Sequence, residues 1–248
     1  MSTVYLDNNA TTAIHPQVAT AMADCYEAGY FNPASQHHEG RRARRILEQA
    51  REGIGRILGA QLDHTPTDRI IFTSGGTEAN NLAIRGLRTN SDPGPSTVAE
   101  GHPPQRIIVS SIEHPSVLQT AAELSQLPMT EVHLAPVDGQ GKLDLDALRP
   151  LLTPATRRVS VMLGNHETGA IQPLEAVVNA CRPLQIPVHT DAVQAAGKIP
   201  VSFGRLGVAA MTATAHKFHG PRGIGVLIVR ADVEIEPQLF GGSQQLET

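Results

Sequence analysis

Val208-Ala209-Ala210-Met211-Thr212-Ala213-Thr214-Ala215-His216-Lys217-Phe218-His219-Gly220-Pro221 begins as a mostly apolar, strand-like run and ends as a polar turn. The same unit recurs upstream. Short β-rich runs occupy Arg69–Thr73, Arg106–Ser110, Val132–Leu134, Arg158–Leu163, Ile186–His189, Val208–Thr212 and Gly225–Val229. Amphipathic helical patterns follow several of them, at Thr77–Leu87, Ser116–Leu127, Asp144–Leu152 and Leu174–Arg182. This alternation predicts an α/β fold with a mostly parallel seven-stranded sheet covered on both faces by helices. In open sheets of this kind ligands gather at the carboxyl ends of the strands. Polar residues cluster at those ends: Gly75-Gly76-Thr77, Glu113-His114, Asn165-His166-Glu167, Asp191 and Lys217.

The 248 residues suffice for a substantial core, in one large domain or one domain with part of another. The formal net charge of -4 implies neither nucleic acid nor an anionic membrane as partner, and 3% aromatic content argues against base stacking. No apolar run approaches a membrane span, and Met1–Asp7 lacks the pattern of a signal peptide. The two cysteines, Cys25 and Cys181, form no disulfide framework, which predicts a cytoplasmic protein. Both lie in helical patterns among apolar neighbours and are expected to be buried, inert thiols. Thr89–Gln105, rich in Pro, Gly and Ser, reads as a mobile surface insertion. Arg41–Leu58 reads as a helix with Ala43, Ile46 or Leu47, Ala50, Ile54 and Ile57 on its apolar face and its arginines on a solvated one. Phe240–Thr248 is loop-like and closes no element, so the chain reads as a fragment at that end.

A single lysine after a strand is ordinary surface chemistry; here its companions decide the reading. Lys217 and Asp191 each stand at the end of their own strand. Pyridoxal phosphate (PLP) needs such a pair: an amine to condense with its aldehyde, and a carboxylate to keep the pyridine nitrogen protonated. Thr73–Ala79 joins a strand to a helix, and its Gly75-Gly76-Thr77 suits either a tight turn or a phosphate seat made by helix N-terminal amides. His114, with Pro115 fitted to a first helical turn, is a candidate for stacking on the cofactor ring and moving protons. Gly220–Gly225 mimics a nucleotide fingerprint, but a strand rather than a helix follows it. No metal site is expected, because His216 and His219 precede a helix-breaking Gly-Pro and no Cys/His set has zinc spacing.

Together these residues resemble the PLP-dependent cysteine desulfurases of aminotransferase class V. The resemblance spans essentially the whole chain. It rests on Tyr5–Thr12, on Asn32-Pro33-Ala34-Ser35 followed by His37 or His38, and on Phe72–Asn81. Glu113–Ser116, His189–Gln194 and His216-Lys217 complete it. It implies a fold-type-I PLP enzyme with residues 1–15 as an N-terminal arm and 16–248 as the PLP-binding large domain. It also implies that Lys217 holds the cofactor and moves the Cα proton, and that His114 stacks on the ring and assists. Asp191 would pair with the pyridine nitrogen and Gln194 with the phenolic oxygen, while Gly76, Thr77, Thr214 and His216 would hold the phosphate. The implied reaction takes sulfur from L-cysteine, giving L-alanine and an enzyme persulfide for iron–sulfur clusters or thio-compounds, with a sulfur-acceptor protein and a homodimer as partners. Selenocysteine lyase or a related class V lyase is the neighbouring alternative, and a PLP-binding remnant without desulfurase activity is another.

Two departures qualify the match. Where the family carries Asn-Asn-Glu, this chain has Asn165-His166-Glu167, so His166 takes the place of an asparagine beside the cofactor; its ring can still donate to the ring oxygen. The family also continues into a small domain of about 100–150 residues. That domain carries the persulfide-forming cysteine and an arginine for the substrate carboxylate. Neither Cys25 nor Cys181 stands where that nucleophile belongs.

Overall fold

The computed structural model describes residues 4–88 and 104–241. Most of the insertion expected at Thr89–Gln105, and residues 242–248 of the loop-like end, lie outside the described residues. In chain order the elements are α1 (Pro16–Glu27), α2 (His38–Ile57), β1 (Arg69–Thr73), α3 (Gly76–Gly86), β2 (Leu87–Arg88) and β3 (Gln105–Ser110). There follow α4 (Pro115–Leu124), β4 (Thr130–Ala135), α5 (Leu145–Leu148), β5 (Thr156–Ser160), α6 (Leu174–Cys181) and β6 (Val188–Asp191). The last are α7 (Phe203–Leu206), β7 (Ala210–Thr214), β8 (Gly225–Val229) and β9 (Glu234–Ile235). None of the described helices is long and apolar enough to cross a membrane.

Seven strands form one sheet in the order β1-β8-β7-β6-β5-β3-β4. All neighbouring pairs from β4 to β7 are parallel; β8 alone runs against both its neighbours, β1 and β7. The short β2 and β9 pair separately. Side chains alternate between the two faces of each strand. In β8, Val226 and Ile228 join a core with Leu174, Val177 and Phe203. Leu227 and Val229 pack on the opposite face with Ala79, Leu82 and Ala83 of α3. Both faces are thus covered, which is why these strands read as continuous apolar runs. Each fully buried aliphatic side chain contributes about 1.5–3 kcal/mol.

Two strands begin and end two residues later than expected. Ile186–His189 becomes Val188–Asp191, and Val208–Thr212 becomes Ala210–Thr214. Pro187 has no N–H to give a ladder, though its carbonyl accepts from Val159. The third run, Arg158–Leu163, keeps regular strand geometry only to Ser160, but Val161 and Leu163 still donate to His189 and Asp191 of β6.

The expected apolar face of α2 is corrected in part. Ala43 is buried and Ile54 packs against the core as expected, but Ile46, Ala50 and Ile57 are exposed, while Gly40, Arg51 and Gly55 are buried. The cause is Arg51. Its guanidinium donates to the Ile70 carbonyl, pairs with Glu48 and lies 5.0 Å from the Phe72 ring centre, so an arginine occupies the inward stripe. Gly55 permits the close approach, since a Cβ there would stand 2.9 Å from Leu62 Cδ1. The arginines of the first turns are not simply solvated: Arg41, Arg42 and Arg44 donate to the carbonyls of Gln36, Ala28 and Pro33, tying the helix to the preceding loop. Cys25 is also corrected. It is exposed, because none of the twelve residues of α1 is buried. Cys181 is buried, and burial pushes its thiol up to about 12.

Candidate active site

The carboxyl ends of β1, β3, β6 and β7, with the loop after β5, deliver the residues expected there. The turn after β1 is Ser74-Gly75, and α3 starts at Gly76. Gly76, Thr77, Thr214 and His216 line one cavity of about 440 Å³, together with Ser74, Glu78, Arg222 and Gly223. A Cβ on Gly76 would meet Val193 Cγ2 at 3.1 Å, so a side chain at the start of α3 would crowd the turn after β6. The strand–helix turn at the cavity presents N-terminal amides to the space, the arrangement that holds phosphate. Glu78 accepts from the Ser74 amide at 2.7 Å and steadies the turn. The Thr214 hydroxyl donates to the Ile224 carbonyl, tying β7 to the turn before β8.

Asp191 closes β6 as a buried carboxyl. It accepts from the Val193 amide at 2.9 Å and from Asn80 Nδ2 at 2.7 Å. Burial pushes its proton affinity up, against those two donors and the nearby His114 and Lys217. A carboxylate withdrawn from water and served by two neutral donors gains from a cationic N–H beside it. Asn80 Nδ2 also donates to Ser116 Oγ at 2.9 Å, which in turn stands 2.8 Å from His114 Nδ1. The Ser116 backbone N–H donates to the same Nδ1, so that nitrogen is the acceptor and the ring proton of neutral His114 lies on Nε2. Burial holds the imidazole below its usual proton affinity, and His166 and Lys217 add to the effect.

Lys217 follows β7 in a short 3-10 turn and is half-buried. Its amine donates to the carbonyls of Asn9 at 2.5 Å and Ala10 at 2.9 Å. Burial and the neighbouring ammonium of Lys198 lower its proton affinity, while Asp191 and Asp7 oppose them. The same Asn9 carbonyl accepts from Gln194 Nε2 at 3.0 Å, and Asn9 Nδ2 donates to the His166 carbonyl at 3.0 Å. The N-terminal segment is held here by Thr12, whose N–H donates to His216 O at 2.8 Å and whose Oγ1 accepts from the His219 amide. His166 sits at the tip of a turn built on Asn165, whose Oδ1 accepts from the amides of Glu167 and Thr168. Its ring centre lies 6.0 Å from that of His114.

His216 and His219 do not converge: Nδ1 of His216 pairs with Thr11 Oγ1, and Nδ1 of His219 with the Ala13 carbonyl. His37 caps α2, its Nδ1 accepting from the Gly40 amide. Neither cysteine lines the cavity.

Several participants escaped the sequence reading. Asn80 shares a helix with ordinary core positions, and only its contacts distinguish it. Lys198 approaches Lys217 from a distant part of the chain and no local pattern marks it, while Asn9 stood in the Tyr5–Thr12 match without a role of its own. Arg222 belongs to the Gly220–Gly225 turn set aside as a false fingerprint; its glycines were the available signal. Glu113, already named with His114 among the strand-end polar residues, is buried with Oε1 accepting from Ser110 Oγ at 2.5 Å and from the Met162 amide at 2.6 Å. Burial pushes its carboxyl up to about 8.

The residues fit PLP: an amine, a buried acid to face its ring nitrogen, an imidazole with a defined tautomer, and a glycine-lined cavity for phosphate. Comparison with known proteins agrees. A cysteine desulfurase of Cereibacter sphaeroides is 39% identical over 245 residues, covering 99% of this chain and 60% of that protein. A solved NifS-like protein superposes with a TM-score of 0.85 at 37% identity, over 98% of this chain and 63% of the other. A second solved structure, SspA in complex with cysteine, matches with a TM-score of 0.84 at 29% identity, covering 99% of this chain and 67% of the other. The chain therefore spans about 60% of the length of its curated relative. The family model for aminotransferase class-V matches residues 4–247, and on that match, the shared fold and the residues gathered at the strand ends, the chain belongs to the PLP-dependent class V aminotransferases.

Proposed function

We propose that this chain is the cofactor-binding part of a cysteine desulfurase, acting on L-cysteine to yield L-alanine and a protein-bound persulfide. The observation that carries the reading is the convergence of Lys217, Asp191, His114 and the Gly76–Thr77 cavity at one end of the sheet. It is supported by the 39% identity to a cysteine desulfurase and by the likeness to a protein solved with cysteine. PLP, when bound, supplies an electron sink for the pair left at Cα when its proton departs. Residues 1–15 act as an arm that seats Lys217, and residues 16–248 as the large domain.

Each residue has its part. Lys217, its proton affinity lowered by burial, would hold the cofactor through its amine and move the Cα proton. His114 would hold the ring and has its Nε2 proton to donate. Asp191 would serve the ring nitrogen and Gln194 the phenolic oxygen, with His166 also available to donate. Gly76, Thr77, Thr214 and His216 hold the phosphate, and the cation Arg222 stands in the same cavity. Sulfur transfer further needs a thiolate to attack the substrate sulfur, forming an S–S bond as the C–S bond breaks. Cys181 is unsuited, with its thiol at about 12. Cys25 instead lines a separate groove with His15 and Tyr26. That placement favours a second reading, PLP binding and Cα chemistry without sulfur release by these residues alone. The homodimer, the sulfur-acceptor protein, the supply of iron–sulfur clusters and a cytoplasmic setting complete the proposal for the whole protein.

The test is exchange of the Cα proton of L-cysteine in D2O, followed by NMR with the PLP-loaded chain. Exchange that Lys217→Ala abolishes is expected. A loaded wild-type chain that leaves the proton in place would sink the reading.

A further inference from the structure

Lys198 lies four residues beyond Gln194, on the surface, and its side chain reaches back toward the site. Its Nζ donates to Gln194 Oε1 at 2.7 Å and to Asn9 Oδ1 at 3.3 Å. The other end of the Gln194 amide donates through Nε2 to the Asn9 carbonyl, the oxygen that also receives the Lys217 amine. Four residues from three distant parts of the chain thus form one closed network.

The chemistry of a primary amide makes this network directional. A glutamine side chain has an accepting oxygen at one corner and two N–H groups at the other, while an ammonium only donates. Oε1 must therefore face Lys198. The N–H groups lie at the opposite corner, where one reaches the Asn9 carbonyl and the second remains for another acceptor. Turned the other way, the amide would set NH2 against an ammonium and C=O against a carbonyl oxygen, two repulsive contacts. Without Lys198 the first of those penalties disappears and only the Asn9 carbonyl still opposes the turned amide, so the preference for this orientation weakens.

We propose that Lys198 is a positioning residue: it locks the Gln194 amide so that an N–H, not the carbonyl, is offered to an electron-rich oxygen of the ligand held at Lys217. This deepens the functional reading above and rests on it, the oxygen being the phenolic one of PLP. Lys198 touches neither cofactor nor substrate and acts through Gln194.

A double-mutant cycle on the whole chain tests it, with the dissociation constant for PLP and the absorbance maximum of the bound cofactor as readouts. Lys198→Met and Gln194→Leu are each expected to weaken PLP about five- to tenfold, the effect of one lost directed hydrogen bond. Both are expected to displace the absorbance band in the same sense. The double variant should be no weaker than either single one, because both remove the same bond. Lys198→Arg, which still donates to Oε1, should restore the wild-type band. An unchanged Lys198→Met variant overturns the inference, and so do multiplying losses in the double variant, which would mean that Lys198 acts by charge alone. A wild-type chain that takes up no PLP overturns the functional reading itself, and this inference with it.

Discussion

Glu113, next to His114, and His189, two residues before Asp191, are buried titratable groups, and each is held uncharged by burial. Glu113 keeps one oxygen satisfied by Ser110 and Met162, while its buried Oε2 has no hydrogen-bond partner. Its folded value of about 8 stands above the ordinary 4.5. Between those two values the unfolded chain has lost a proton that the folded chain keeps. The associated stability is present below 4.5 and is lost as pH rises toward 8, by ~1.4 kcal/mol per pH unit. His189, bonded to Ser160 and Thr212 on the neighbouring strands, falls to about 3 from 6.5. Its contribution has the opposite sign: between 3 and 6.5 the unfolded chain binds a proton that the folded chain refuses, so stability rises with pH. Chemical unfolding from pH 4 to 8.5 is expected to show Glu113→Gln removing part of the alkaline-side loss and His189→Gln part of the acid-side loss. Variants with the wild-type slope on their own side would show that these groups are not the ones titrating.

At the scale of elements, the site depends on how closely β8 approaches the turn before α3. A Cβ on Gly225 would stand 2.7 Å from the Gly75 carbonyl carbon and 2.8 Å from its Cα, both backbone atoms that cannot swing aside. Gly225→Ala is therefore expected to cost about 1–3 kcal/mol in an unfolding titration and to weaken PLP uptake by displacing the phosphate turn. Gly139→Ala, where the added carbon meets nothing within 4 Å, serves as the control and should stay within about 0.5 kcal/mol. A Gly225→Ala chain as stable as that control would contradict the packing account. The strands themselves were legible because burial on both faces leaves continuous apolar runs, and β1 and β8 match their sequence ranges. The inward face of α2 was not legible, since Arg51 replaces an apolar residue there through contacts with Ile70 and Phe72 that no local period encodes. The pairing of β2 with β9 was missed for a similar reason: each is two residues long, too short for any alternation to register.

Across the whole molecule, the expected site residues stood in the sequence as strand-end polar groups, because an open α/β sheet sends those ends to one edge. What joins them was hidden: Asn80 joins Ser116 to Asp191, 111 residues on, and Asn9 joins Gln194 and Lys217, 185 and 208 residues on. These links tie the N-terminal segment to the site at Asn9, while Leu6 just before it is 84% exposed. Cys25 was misplaced because the pattern of α1 reports amphipathicity and not whether anything covers the helix. The central claim, that these residues assemble a PLP site on Lys217, meets a direct test because the chain has only three lysines, Lys142, Lys198 and Lys217. The chain is incubated with PLP, reduced with borohydride and digested, and the modified peptide is located by mass spectrometry. The account predicts one adduct per chain, on Lys217, lost in Lys217→Ala. An adduct on Lys142 or Lys198 in its place, or none, would contradict it.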